Sequence, residues 1–140
     1  MSLRSTRLRR VARKYALERR VAQLALAKAE HERASLVETN ARLRSAREQL
    51  APVGEALSGK DLAIGGEWAG RLDDATRNLA PSIRAAEQSS AVAADAAQRA
   101  GGQEELLRQR IGSAVSAEAR QYEARQAYSR QRKQNEDGSK

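Results

Sequence analysis

Residues 8–50 read LRRVARKYALERRVAQLALAKAEHERASLVETNARLRSAREQL. Within that stretch Leu8, Tyr15, Ala22, Ala29, Leu36, Leu43 and Leu50 recur at an unbroken seven-residue step, and no Gly or Pro interrupts the chain before Pro52. A seven-residue apolar repeat keeps one stripe of a helix facing a partner and favours a left-handed supercoil. The row three residues further on (Val11, Glu18, Ala25, Glu32, Thr39, Ala46, Val53) is mixed in character, so the expected seam is narrow. A first helix is therefore predicted over about residues 3–53, close to 75 Å long at about 1.5 Å per residue.

Downstream, Pro52, Gly54, Ser58-Gly59 and Gly65-Gly66 are breaker signals. They place a tip at about residues 54–80. Trp68, Leu72, Ala75 and Leu79, at steps of four, three and four, would share one helical face within it. Pro81 lacks a backbone donor and clashes with the preceding turn, which predicts a kink or a fresh helix start. A return helix is expected over about residues 81–134, followed by a disordered tail at 135–140. Gly101-Gly102 weakens that helix locally by about 1 kcal/mol per Gly. Two helical stretches of near-equal length imply an all-α fold, an antiparallel two-stranded coiled-coil hairpin forming a single domain. Folding the chain about the tip pairs levels whose numbers sum to about 136. Leu50 would then meet Ala86, Leu43 Ala93, Leu36 Ala100, Ala29 Leu107 and Leu8 Tyr128, large facing small at most levels.

Composition agrees with a helical assembly. The 140 residues include no Phe, one Trp, three Tyr and two Pro, and they are rich in strong helix formers. The apolar residues are mostly Ala, which buries little area, so a compact core would be weak. The absence of Cys excludes disulfides and thiolate metal sites. The longest apolar run, Leu24-Ala25-Leu26-Ala27, is far short of a membrane span. The charged N-terminus does not suit a signal peptide. These features predict a cytoplasmic protein without direct membrane insertion.

Charge is unevenly distributed over a formal net of +8. Residues 1–20 are net +7, residues 21–53 net +1, residues 54–105 net −4 and residues 106–140 net +4. If the chain folds in half, both basic ends meet at one pole.

The sequence holds no P-loop, GxGxxG, HExxH or nucleophile elbow. The single histidine, His31, lies in a charged stretch and reads as a solvated residue. Asp73-Asp74 are helix neighbours that do not face each other, which argues against paired acid–base chemistry. No enzyme activity, metal or cofactor is expected. The cationic run Arg4, Arg7, Arg9, Arg10, Arg13, Lys14, Arg19 and Arg20 admits three readings: docking to an acidic protein surface, a solvated face, or phosphate binding. Docking is preferred, because Tyr15 is the one aromatic in that segment and readers of nucleic acid usually add stacking groups. Trp68 is either local packing at the tip or an anchor for a partner, since Trp is enriched at interface hot spots.

The opening Leu3-Arg4-Ser5-Thr6-Arg7-Leu8-Arg9-Arg10-Val11, the following Glu18-Arg19-Arg20-Val21-Ala22-Gln23-Leu24-Ala25-Leu26-Ala27 and the heptad through Ala29, Leu36 and Leu43 resemble the flagellar FliJ family. The resemblance extends over the whole chain in length and layout. It implies a non-enzymatic coiled-coil stalk of the type III export apparatus, similar to the gamma stalk of rotary ATPases. Its implied partners are the hexameric export ATPase, the membrane protein of the export gate and the export chaperones. The implied location is cytoplasmic and peripheral at the inner face of the cell membrane. By resemblance, Arg4, Arg7, Arg9, Arg10, Arg13 and Lys14 would dock in the ATPase ring, and Trp68, Leu72, Ala75 and Leu79 would contact the gate. The Ala-rich return helix and glycine-rich tip depart from the family pattern. A nucleic-acid-associated helical protein and a general structural or chaperone coiled coil are the alternatives, although no nucleic acid is expected.

Overall fold

A computed structural model of the chain describes residues 3–50 and 59–139. They form two long antiparallel α-helices packed against each other as a hairpin, α1 (Leu3–Gln49) and α2 (Gly59–Gly138). The all-α hairpin expected from the heptad is thus present. The helices divide into two compact units. The first joins Met1–Val21 to Gln98–Lys140, and the second comprises Ala22–Ala97.

The seam is built as a heptad predicts, with one change. On α1 the seven-step row from Leu8 through Leu43 is half-buried at every position. Its companion lies four residues on, not three: Ala12, Arg19, Leu26, Asn40 and Arg47 are half-buried and Ser5 is only 1% exposed, while Val11, Glu18, Ala25, Glu32 and Thr39 face solvent. Steps of three and four alternate along a heptad seam. The visible row occupies the position followed by the four-step, so its seam partner lies four residues further on. On α2 the matching rows are Gly65, Leu72, Leu79, Ala86, Ala93, Ala100, Leu107 and Ala114, and Ala69, Thr76, Ile83, Ser90, Ala97, Glu104, Ile111 and Glu118. All sixteen positions are half-buried.

Two helices can shield only a stripe of each other. No described apolar side chain is fully buried, and Ser5 alone is. Stability therefore rests on many partly covered layers, supported by surface Glu-to-Arg pairs at the i,i+4 spacing such as Glu38–Arg42 (2.6 Å) and Glu67–Arg71 (2.8 Å).

The element boundaries correct several expectations. α1 ends at Gln49, with Leu50 N–H donating to the Arg47 carbonyl at 3.2 Å. The expected end near Val53 lies outside the described residues. The region expected as a tip, 54–80, supplies residues 59–80 of α2, so the helices are 47 and 80 residues long rather than near-equal. No fresh helix starts at Pro81, which lies inside α2. Pro81 falls outside both seam rows and is exposed, so its ring needs no room in the interface. It forfeits one backbone hydrogen bond, whereas a helix end there would leave four donors and four acceptors to be satisfied. Asp61 in the first turn of α2 favours the positive end of the helix dipole. At the other end, residues 135–138, expected as a frayed tail, are helical.

Register is also corrected. In the second unit Arg47 meets Asp73, giving numbers that sum to 120; in the first, Arg19 meets Glu104, giving 123. The expected sum of about 136 is displaced by about fourteen residues, two whole heptads, well beyond a one-turn error. Leu8 lies beside Leu106, Arg110 and Ala114 rather than Tyr128, and Tyr15 beside Leu107. The pairing of Arg47 with Asp73 sets Leu43 near Leu79 rather than Ala93. Because the slip is a whole number of heptads, each row still meets a seam row, which is why large-faces-small patterning did not expose the error.

Candidate protein-docking surfaces

The first unit collects both basic ends of the chain. Its residues carry a formal net of +10, against −2 for the second unit, together making the +8 of the whole. Arg4, Arg7, Arg9, Arg10, Arg13 and Lys14 are all exposed on α1. Leu8, Ala12 and Tyr15 between them turn to the seam, so the cations spread over the remaining faces of the helix. Arg4 flanks an open groove of about 1010 Å³ formed with Leu8, Leu106, Arg110, Ala114 and Glu118. Arg13 borders a smaller hollow on Ala12, Ala16, Arg108 and Ile111. Lys14 reaches Glu18 only at 4.0 Å, with both ends well solvated. Such a pair contributes little to folding and leaves the lysine accessible to a partner.

Beneath this surface the seam carries a charged layer. Arg19 Nε lies 2.7 Å from Glu104 Oε2, and the Glu104 side chain is only 12% exposed. That Nε–H is buried and not aligned for a hydrogen bond to the carboxylate, so the contact is ionic. Arg108 approaches the other carboxylate oxygen at 3.4 Å. Glu104 is therefore shared by two guanidiniums, one from each helix. Sequence reading treated Arg19 as part of the exposed cationic run; the seam position four residues after Tyr15 was the signal of its inward role.

α2 continues past the start of α1. Residues 122–138 are helical and exposed throughout, and the observed register leaves no described α1 residue opposite them. Tyr122 and Tyr128, 64% and 69% exposed, stand there among Arg120, Arg125, Arg130, Arg132 and Lys133. This aromatic-basic stretch was missed because Tyr128 had been assigned to the seam.

In the second unit the four residues of the expected gate face separate into two kinds. Trp68 is 53% exposed, with the Arg71 guanidinium 5.4 Å from the ring centroid and Arg71 held by Glu67. Leu72, Ala75 and Leu79 are half-buried, and Leu72 and Leu79 belong to a seam row. Leu62 and Ile64 are exposed on the first turns of α2, near Trp68 in sequence. Arg47 donates to Asp73 at 3.2 Å beside this region, with both side chains nearly half exposed.

Among the described residues there is no cluster of three or more His, Cys, Asp or Glu placed to hold a metal, and no helix long and apolar enough to cross a membrane. The arrangement defines a coiled-coil-like helical hairpin whose chemistry is that of surfaces. No family model, curated protein or solved structure matches the chain.

Proposed function

We propose that the chain is a non-enzymatic stalk of a type III export apparatus of the flagellar kind. Its basic unit docks on an acidic surface of the hexameric export ATPase, and its Trp68 end meets the export gate and export chaperones. The observation that carries this reading is the gathering of both cationic chain ends into one unit of net +10 while the other unit is net −2. A connector between two different partners needs two chemically distinct surfaces, and charge complementarity speeds and orients docking. The resemblance of residues 3–11 and 18–27 to the FliJ family supplies the identity of the partners.

The test is capture of the export ATPase from cell extract by the purified protein and by its Arg9→Glu, Arg10→Glu, Arg13→Glu variant. Exposed charges contribute about 0–1 kcal/mol to folding, so the triple variant keeps its helix content and melting behaviour. ATPase binding weakens at least about tenfold, mostly through slower association. ATPase capture undiminished in the variant sinks the assignment of the basic pole.

A second reading has its own observation, the exposed Tyr122 and Tyr128 among five cations on α2. Aromatic faces beside Arg and Lys suit single-stranded nucleic acid. Titration with an unrelated oligonucleotide at rising salt separates the readings. Tight binding with a steep salt slope favours this second reading over the stalk.

A further inference from the structure

We propose that the seam encodes a second register, displaced by two heptads, into which α1 can slide along α2. The displacement amounts to about 21 Å at about 1.5 Å per residue. In the observed register Arg19 meets Glu104 and Arg47 meets Asp73. Moving α1 by fourteen residues toward the end of α2 brings Arg19 to Glu118 and Arg47 to Glu87, so both charge pairings are regenerated. A slip of seven does not do this. It sets Arg19 against Ile111 or Ala97, and Arg47 against Ala80 or Gly66, leaving a guanidinium on an apolar or small residue. Polar groups at seam positions specify register in coiled coils; here they discriminate against one-heptad slips and admit the two-heptad slip.

The track for such a movement is present. Residues 122–138 are helical with no described α1 residue opposite, and the seven-step row continues past Ala114 through Gln121 to Tyr128. The shifted state covers part of that stretch, stacking Leu8 on Tyr128 and Tyr15 on Gln121, and uncovers Leu72 and Leu79. Sliding would therefore exchange aromatic-basic surface in one unit for leucine surface in the other.

Chain connectivity sets what must yield. Nine residue steps separate Leu50 from Gly59, reaching at most about 32 Å. In the shifted register Leu50 lies level with residue 86, about 40 Å of helix from Gly59. The opening turns of α2 must then unwind. They contain Gly59, Gly65 and Gly66, the poorest helix formers after proline. This inference rests on the fold alone and does not depend on the proposed partners.

The chain has no Cys, so engineered pairs report register without background. Three double variants are oxidised at high dilution, and intramolecular disulfide is measured: Leu8→Cys with Ala114→Cys for the observed register, with Gln121→Cys for the one-heptad slip, and with Tyr128→Cys for the two-heptad slip. The 114 pair forms fastest, and the 128 pair forms at least severalfold faster than the 121 pair. Fraying or general flexibility gives the opposite order, because 121 lies closer to 114. Adding Glu87→Lys and Glu118→Lys lowers the 128 yield severalfold relative to the 114 yield. Replacing Gly65 and Gly66 by Ala lowers the 128 yield in the same way. A 128 pair no faster than the 121 pair, or one indifferent to the charge reversals, overturns the proposal.

Discussion

The two units use the same seam geometry with different chemistry. In the second, leucines carry the layers around Leu36, Leu43, Leu72 and Leu79, and the ion pair Arg47–Asp73 lies at the rim with both partners solvated. In the first, a nearly buried Glu104 faces Arg19 within the seam itself, beneath a surface of net +10. A rim pair is screened by water and contributes little. A seam pair contributes little net stability relative to an apolar replacement, but removing one partner is costly. The difference teaches that the second unit is stabilised by area and the first is specified by charge.

The largest expected effect tests the leucine side of that contrast. Leu79→Ala should lower stability by about 1–3 kcal/mol in urea unfolding followed by circular dichroism, below the full-burial range because the site is only half covered. A change under about 0.5 kcal/mol would remove Leu79 from the seam and with it the observed register.

Next comes the charged layer. Glu104→Ala leaves the Arg19 guanidinium in the seam without its carboxylate and should cost about 1–2 kcal/mol. Replacing Arg19 and Glu104 together by Leu should restore stability to the wild-type value or above it. If the double variant is instead the least stable of the three, the ionic layer is a source of stability and the distinction between the units fails.

Trp68 and Leu72 sharpen the boundary between seam and surface. Leu72→Ala should cost about 1 kcal/mol, whereas Trp68→Ala should stay within about 0.5 kcal/mol, the loss of an exposed cation–π contact with Arg71. Comparable losses at both positions would place Trp68 in the internal packing and take it out of the candidate docking surface.

The smallest effect belongs to the rim pair. Asp73→Ala should change stability by no more than about 0.5 kcal/mol and should do so less at high salt. A loss as large as that for Glu104→Ala, insensitive to salt, would erase the contrast.

Some of what sequence reading missed was written in the chain. Ser58-Gly59-Lys60-Asp61 fits a helix-start pattern with an acid three residues after a serine, and α2 does begin there. The surrounding glycines outweighed it, because each Gly was read as a break rather than as a tolerated weakness in a helix held by its seam. Pro81 misled for the same reason: its cost is local, while the reward for continuing α2 is collected along both rows from Gly65 to Glu118.

Sequence alone determined that this chain is helical, that α1 offers a seven-step stripe, that α2 carries a matching one, and that the cations concentrate at the chain ends. These properties depend on composition and on spacing within one helix, so they are local. Only the tertiary structure decided which Leu meets which, where α2 begins, that Arg19 turns inward and that residues 122–138 extend past the described start of α1. A heptad pattern maps onto itself when shifted by seven or fourteen residues. Apolar periodicity therefore selects the face and the direction of pairing but leaves the level undetermined. That choice falls to a few long-range terms: the reach of the connection between the helices, and the nearly buried charge pair of Arg19 and Glu104.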